Sequence, residues 1–106
     1  MNIKAQNGKI CRNIAFDEVY IKPFYYNEDT VENWAVCSNL YNIEVVLGYY
    51  NSNDAAKHMV HIIKLYEDTP FRLDMLSDVE VCEDMYAAAA YRLEKSKREV
   101  KPDEKK

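Results

Sequence analysis

The hydrophobic period of the chain changes near residue 50, and this change constrains the fold more than any other feature. Before it, apolar and polar residues alternate, as in strands that bury one face. After it, apolar residues recur every three or four positions, as along amphipathic helices. The stretch "VVLGYYNSNDAAKHMVHII", residues 45 to 63, contains the change and a single glycine, Gly48. The sequence therefore predicts an α+β domain, in which an antiparallel sheet of about five strands precedes two C-terminal helices.

The first half of the chain carries signals for five strands. Asn7-Gly8 is a strong hairpin signal, so we expect strands at about 2 to 6 and 9 to 14. "DEVYIKPFYYN" predicts a third strand, with an edge or a bend at Pro23, and "NEDTVEN" predicts a polar loop. "WAVCSNLYN" and "IEVVLGYYN" predict two more strands joined by a tight turn at Tyr41-Asn42. Such short connections favour an antiparallel meander.

The second half predicts two helices. The first covers about residues 54 to 67, and Ser52, Asn53 and Asp54 are all suitable N-cap residues. Its apolar face consists of Ala55, Ala56, Met59, Val60, Ile63 and Tyr66. Thr69-Pro70 ends this helix, and "FRLDML" predicts a short extended or irregular link. Ser77-Asp78-Val79-Glu80 then fits a capping box that opens the second helix.

The second helix has features that favour a homodimer or a higher oligomer. Its predicted apolar stripe contains Val81 or Cys82, Met85, Tyr86, Ala89 and Leu93. "AAAA", residues 87 to 90, allows another helix to approach closely, although alanine is also simply the best helix former. A helix of about 20 residues is about 30 Å long, which is comparable to the diameter of the whole domain. Part of it is then left to pack against a second copy.

Length and charge limit the classes of function. A chain of 106 residues supports one core, so we predict a single domain over 1–94, followed by a charged, frayed tail over 95–106. The net charge of -4 disfavours direct or sequence-specific nucleic-acid binding. No segment predicts a membrane span or a signal peptide, so we expect an intracellular protein without a membrane partner. Three widely spaced cysteines predict reduced, mostly buried thiols.

The residue types that catalysis needs do not form a recognisable pattern. His58 and His61 are three residues apart on the first helix, but no further ligand accompanies them, and His61 is equally consistent with a half-buried structural histidine. Cys37 has no basic neighbour in sequence that would lower its thiol pKa. Asp17 and Glu18 point to opposite faces of the predicted strand. We therefore expect no enzymatic activity, no cofactor and no bound metal.

Aromatic and arginine residues near loops predict a binding surface instead. Arg72 is the first candidate, because a guanidinium can hold a phosphate and stack on a base, and Arg12 and Arg92 follow. The other candidates are aromatic: Phe71, Trp34, Tyr25, Tyr26, Tyr49 and Tyr50. Alternatively, the tyrosines belong to the faces of the sheet, Trp34 to the core, and Phe71 to the cover of the helix ends.

The glycine corner itself is a poor phosphate site. A single glycine does not supply the converging amides of a phosphate-binding loop, and Asp54 places a carboxylate where an anion would bind. We expect Tyr49 or Tyr50, and not Gly48, to contact any ligand there.

Three segments resemble a group of short proteins from phages and prophages of Gram-positive bacteria: "IKAQNG", "IAFDEVYI" and "LGYYNSNDAAKHMVHII". The likeness covers about the first 65 residues. It implies an accessory protein of a mobile element that acts in the cytoplasm of the host bacterium. Proteins of this kind are commonly counter-defence factors, so the implied partner is a host immune component.

The resemblance leaves the mechanism open. One mechanism is sequestration of a nucleotide immune signal, which the tyrosine content and a dimer helix place first. The other is direct inhibition of a defence protein, as anti-CRISPR proteins inhibit CRISPR effectors, and the acidic pI near 5.2 is compatible with it. A structural or regulatory phage protein without a defence role is a third interpretation.

Overall fold

The structure, a computed structural model, describes the backbone of residues 1–27 and 30–104 and the side chains of residues 1–25 and 33–96. The elements follow in the order β1 (Ile3–Lys4), β2 (Ile10–Cys11), a 3-10 helix (Phe16–Glu18), β3 (Val19–Asn27), β4 (Thr30–Leu40), β5 (Ile43–Tyr50), α1 (Asn53–Tyr66), β6 (Leu73–Asp74) and α2 (Asp78–Glu104). The α+β class and the C-terminal position of both helices are confirmed.

The larger sheet is an antiparallel meander of β3, β4 and β5. Tyr41 and Asn42 both have positive φ, 52° and 63°, which is the backbone that a two-residue hairpin turn requires, so the predicted tight turn is confirmed. The predicted loop at "NEDTVEN" is wrong for its second half. Thr30 pairs with Asn27 and Val31 pairs with Tyr25, so β4 begins inside the segment that was predicted as a loop. Residues 28 and 29 lie outside the described residues.

The smaller sheet corrects the predicted five-stranded meander. The Asn7-Gly8 hairpin forms as expected, with Gly8 at φ +88° and β1 antiparallel to β2. These two strands do not join β3. Instead β1 pairs in parallel with β6, so that Ile3 lies opposite Leu73. A pair about 70 residues apart has no local sequence signal, and the link "FRLDML" therefore supplies a sixth strand that the sequence indicated only as extended.

Helix α1 connects the two sheets through one core. Ser52 caps it, since its Oγ accepts a hydrogen bond from the Ala55 N–H at 3.1 Å. The helix packs across all three strands of the larger sheet. The core contains Met59 and Ile63 from α1, together with buried side chains of both sheets and of α2: Ile3, Cys11, Val36, Leu47, Tyr50, Leu73, Met75 and Val81. The predicted apolar face of α1 is confirmed.

Helix α2 begins as predicted and packs with only part of its apolar surface. The capping box is present: the Ser77 N–H donates to the Glu80 carboxylate at 3.0 Å, and the Glu80 N–H donates to Ser77 Oγ at 3.2 Å. Val81 is buried and Met85 is partly buried. The other predicted stripe residues, Cys82, Tyr86, Ala89 and Leu93, are exposed. The backbone is helical to Glu104, and the predicted division between domain and tail at residue 95 stays a prediction.

Candidate binding surface

The corner at Gly48 is filled by the side chain of Gln6. Its Oε1 accepts a hydrogen bond from the Tyr49 N–H at 2.7 Å, and its Nε2 donates to the carbonyls of Tyr49 at 3.3 Å and Leu76 at 3.0 Å. A Cβ at position 48 would lie 2.8 Å from Gln6 Cδ, so the amide in its present position occupies the space that glycine leaves. The corner is therefore a structural joint between β5, the first hairpin and the segment before α2. The Tyr49 N–H is engaged and does not face an anion.

Tyr50 is a core residue, which corrects its place among the candidate binding residues. Its side chain is 0% exposed, and its hydroxyl donates a hydrogen bond to the Leu76 carbonyl at 2.7 Å. Burial raises the pKa of Tyr50 above its ordinary value. The alternation of β5 explains the difference from Tyr49, because neighbouring residues of a strand point to opposite faces.

Tyr49 lies on the outer face of the larger sheet and contacts Phe24. The two rings are 5.5 Å apart at their centroids and meet edge to face at 75°. Phe24 is 47% exposed and Tyr49 is 42% exposed, and Tyr25, the next residue of β3, is also exposed. We call Phe24 and Tyr49 the aromatic patch. Phe24 was not among the predicted binding residues, although its spacing of two from Lys22 along β3 places it on the polar face of the strand.

Small residues of the central strand lie beside the aromatic patch on the same face. Ala35 is opposite Lys22 and Tyr49, and Cys37 is opposite Tyr20 and Val46. Both small residues are buried, because the longer side chains of β3 and β5 cover them. Burial, together with the nearby Glu44 carboxylate, raises the pKa of the Cys37 thiol to about 11. The thiol is therefore protonated at neutral pH, and the expected buried strand cysteine is confirmed.

A polar cluster occupies the other end of this face. The Tyr20 hydroxyl donates a hydrogen bond to the Glu44 carboxylate, and Lys22 Nζ lies 3.2 Å from Glu44 Oε1. The hydrogen bond to Glu44 raises the pKa of Tyr20 to about 12. The same bond, followed by the one from Lys22, lowers the pKa of Glu44. Lys22 thus has a carboxylate partner within the sheet.

The three candidate arginines lie on separate elements. Arg72, beside the exposed Phe71, precedes β6 and donates from Nε to Asp74 at 2.9 Å. Arg12 follows β2, and Arg92 lies on α2; both are exposed. Within the described residues, no hydrogen bond or ring contact joins any of them to the aromatic patch. The structure therefore does not bring the predicted arginines and tyrosines together.

Two aromatic candidates remain. Trp34 is half-buried and packs against the core, opposite Pro23 and Tyr50, which agrees with the alternative interpretation given above. The side chain of Tyr26 lies outside the described residues.

The two histidines differ from their expected roles. His58 is the half-buried one, and its Nε2 lies 2.6 Å from Asp84 Oδ2, so that it connects α1 to α2. His61 is exposed, and its ring centroid is 6.5 Å from that of His58. Over the described residues, no three His, Cys, Asp or Glu side chains are grouped so that they could hold a metal ion. None of the described helices combines the length and the apolarity needed to cross a bilayer.

Comparisons with known proteins give no family for the chain. No family model, no curated protein and no solved structure matches it. The resemblance to phage and prophage proteins therefore stays a prediction. Two of the segments that carry it are in contact, however, because Gln6 of "IKAQNG" occupies the space left by Gly48 of "LGYYNSND".

Proposed function

We propose that the protein is a non-enzymatic binding protein that inhibits a host defence protein by direct contact through the aromatic patch. The observation that carries the proposal is the pair of exposed rings, Phe24 and Tyr49, in edge-to-face contact on the outer face of the sheet. Large aromatic side chains on a rigid sheet bury much area at low cost in conformational entropy, and they are enriched among the residues that dominate protein interfaces.

The surroundings of the patch favour a protein partner over a nucleotide. A site that sequesters nucleotides needs cations beside its stacking surfaces in order to neutralise phosphates. Among the residues whose side chains the structure describes, Lys22 on this face is paired with Glu44, and Arg72 is paired with Asp74. Direct inhibition is thus better supported than sequestration. The counter-defence role and the host cytoplasm as its location rest on the resemblance to phage proteins.

The proposal assigns no chemical role to Cys37. Burial raises the pKa of its thiol to about 11, so the sulfur is protonated and is not a nucleophile at neutral pH.

The proposal is tested by plasmid interference in Gram-positive hosts that carry different CRISPR systems. Expression of the wild-type protein should restore transformation by a targeted plasmid in at least one host. The variant Phe24→Ser/Tyr49→Ser should lose this effect, because replacing interface aromatics of this kind typically costs at least about 2 kcal/mol of binding, roughly a 30-fold loss of affinity. Tyr41→Ser is the matched control, since Tyr41 is an exposed tyrosine at the β4–β5 turn.

Two results would contradict the proposal. One is equal protection by the wild type and the patch variant, which would place the contact elsewhere. The other is recovery of an intact nucleotide after the purified protein is incubated with cyclic and ADP-ribose-derived nucleotides and heated. That result would restore sequestration as the mechanism.

A further inference from the structure

We propose that the outward face of α2 is a homodimer interface on which the same helix of a second copy packs antiparallel. The face carries three large apolar side chains in solvent: Val79, Tyr86 and Leu93 are 65%, 79% and 59% exposed. Cys82 and Ala89, also exposed, lie between them. These five residues, which we call the outer seam, are spaced alternately by three and four positions, as in helices that pack on one another in a coiled coil.

The outer seam is distinct from the face that α2 packs against its own domain. Val81 and Met85 face the core, and Asp84 contacts His58 of α1. At the start of the seam, a shallow groove of about 470 Å³ is lined by Asp78, Val79, Cys82, Glu83 and Tyr86. A side chain from another helix can lie in this groove, beside the ring of Tyr86.

The charges along α2 indicate that the helix packed on the outer seam is α2 of a second copy, and that it runs antiparallel. Residues 78–84 contain four acids and no base: Asp78, Glu80, Glu83 and Asp84. Residues 92–96 contain two bases and one acid: Arg92, Lys95 and Glu94. An antiparallel copy lays residues 78–84 of one helix along residues 92–96 of the other, so that the acids of each helix lie near Arg92 and Lys95 of its partner.

A parallel arrangement conflicts with the same charges. In register, it would place Asp78 next to the partner's Glu83, at positions that flank a coiled-coil seam. Like charges there oppose association. The alanine run at residues 87–90 lies between residues 78–84 and residues 92–96, where two antiparallel helices cross and small side chains let them approach closely. No residue of the aromatic patch takes part, so this inference is independent of the proposed function.

Light scattering coupled to size-exclusion chromatography tests the interface. At about 100 μM chain, the wild type should elute at twice the chain mass of 12.5 kDa. Tyr86→Glu and Leu93→Glu should each halve this mass, because they place a charge inside the seam. Tyr91→Glu is the matched control: Tyr91 is an exposed tyrosine of the same helix outside the seam, and its variant should stay dimeric.

Circular dichroism confirms that each variant is folded. A monomeric wild type, dimeric seam variants, or a monomeric Tyr91→Glu would each overturn the interface.

Cys82 reports the direction of packing. In a parallel dimer the two Cys82 side chains would face each other within disulfide range, whereas in the antiparallel dimer they are more than about 15 Å apart along the helices. Mild oxidation should therefore give no disulfide-linked dimer; a linked dimer that disappears in Cys82→Ser would overturn the antiparallel packing.

Glu83→Lys adds a second readout, because it should weaken an antiparallel dimer. It would tighten a parallel one by removing the repulsion from the partner's Asp78.

Discussion

The two sheets of the molecule are built in different ways. The larger one consists of strands of 9, 11 and 8 residues that follow one another in the chain and pair along their length. The smaller one consists of three two-residue strands from distant parts of the chain. It is held by a few buried side chains and by the hydrogen bonds of Gln6. Single substitutions should therefore lower the free energy of unfolding most in the smaller sheet and at Gln6, where few contacts hold distant segments of the chain together.

The largest difference in stability loss is expected between alanine variants of two isoleucines, one in each sheet. Ile3 is fully buried in β1 between Cys11 and Leu73, whereas Ile43 is exposed at the start of β5. Ile3→Ala should lower the free energy of unfolding by about 3 kcal/mol, because it removes buried methyl groups and leaves a cavity. Ile43→Ala should cost less than about 0.5 kcal/mol. Urea denaturation measures both, and comparable losses would contradict the buried position of Ile3 in the smaller sheet.

The joint between the sheets should show strong coupling between Gly48 and Gln6. Gly48→Ala should cost about 2 kcal/mol, because the new methyl group displaces the Gln6 amide and its hydrogen bonds to Tyr49 and Leu76 are lost. Gln6→Ala should cost about 1 to 2 kcal/mol, since water replaces these bonds in part. In the double variant the clash is absent, so the total should be close to that of Gln6→Ala alone.

Urea denaturation of the two single variants and the double variant completes the cycle. A coupling energy of about 2 kcal/mol is expected, equal to the cost of Gly48→Ala alone. Strictly additive losses would mean that Gly48 is needed for some reason other than the space it leaves for Gln6.

The same contrast explains which parts of the fold the sequence could predict. Hairpin turns, helix caps and apolar periods are local signals. The two hairpin turns and the starts of both helices were therefore predicted correctly, from Asn7-Gly8, Tyr41-Asn42, Ser52 and the Ser77–Glu80 capping box. The parallel pair of β1 and β6 is long-range, and its strands are too short to show a period. The meander prediction failed there for that reason.

The candidate surface was predictable only where strand alternation could be assigned. Alternation along β5 places Tyr49 and Tyr50 on opposite faces of the sheet. Which of the two faces the core is decided by the element that covers each face. That choice depends on α1, which packs over the face that carries Tyr50. The hydrogen bonds of Gln6 were also inaccessible to sequence reasoning, because the motif "IKAQNG" gives no indication that its glutamine reaches β5.

The smallest expected effect is a pH dependence of the larger sheet, because its polar cluster is exposed. The hydrogen bonds from Tyr20 and Lys22 lower the pKa of Glu44 below its ordinary 4.5, so their stabilising contribution is complete above about pH 4.5 and is lost as the pH falls through the folded-state pKa. The pKa of Tyr20 is raised from 10.0 to about 12, so its contribution is complete below pH 10 and is lost as the pH rises toward 12. The urea concentration at the unfolding midpoint should thus fall slightly below about pH 4.5 and again as the pH rises from 10 toward 12.

Variants of the cluster separate its two titrations. Glu44→Gln removes the carboxylate that both hydrogen bonds need in charged form, so both declines should become shallower than in the wild type. Tyr20→Phe keeps the ion pair between Lys22 and Glu44 but has no hydroxyl, so it should remove the alkaline decline and leave part of the acidic one. An unchanged acidic decline in Glu44→Gln would assign that decline to other carboxylates, such as Glu80, whose pKa is lowered by its capping-box hydrogen bonds. In that case acid would destabilise the start of α2 more than it destabilises the larger sheet.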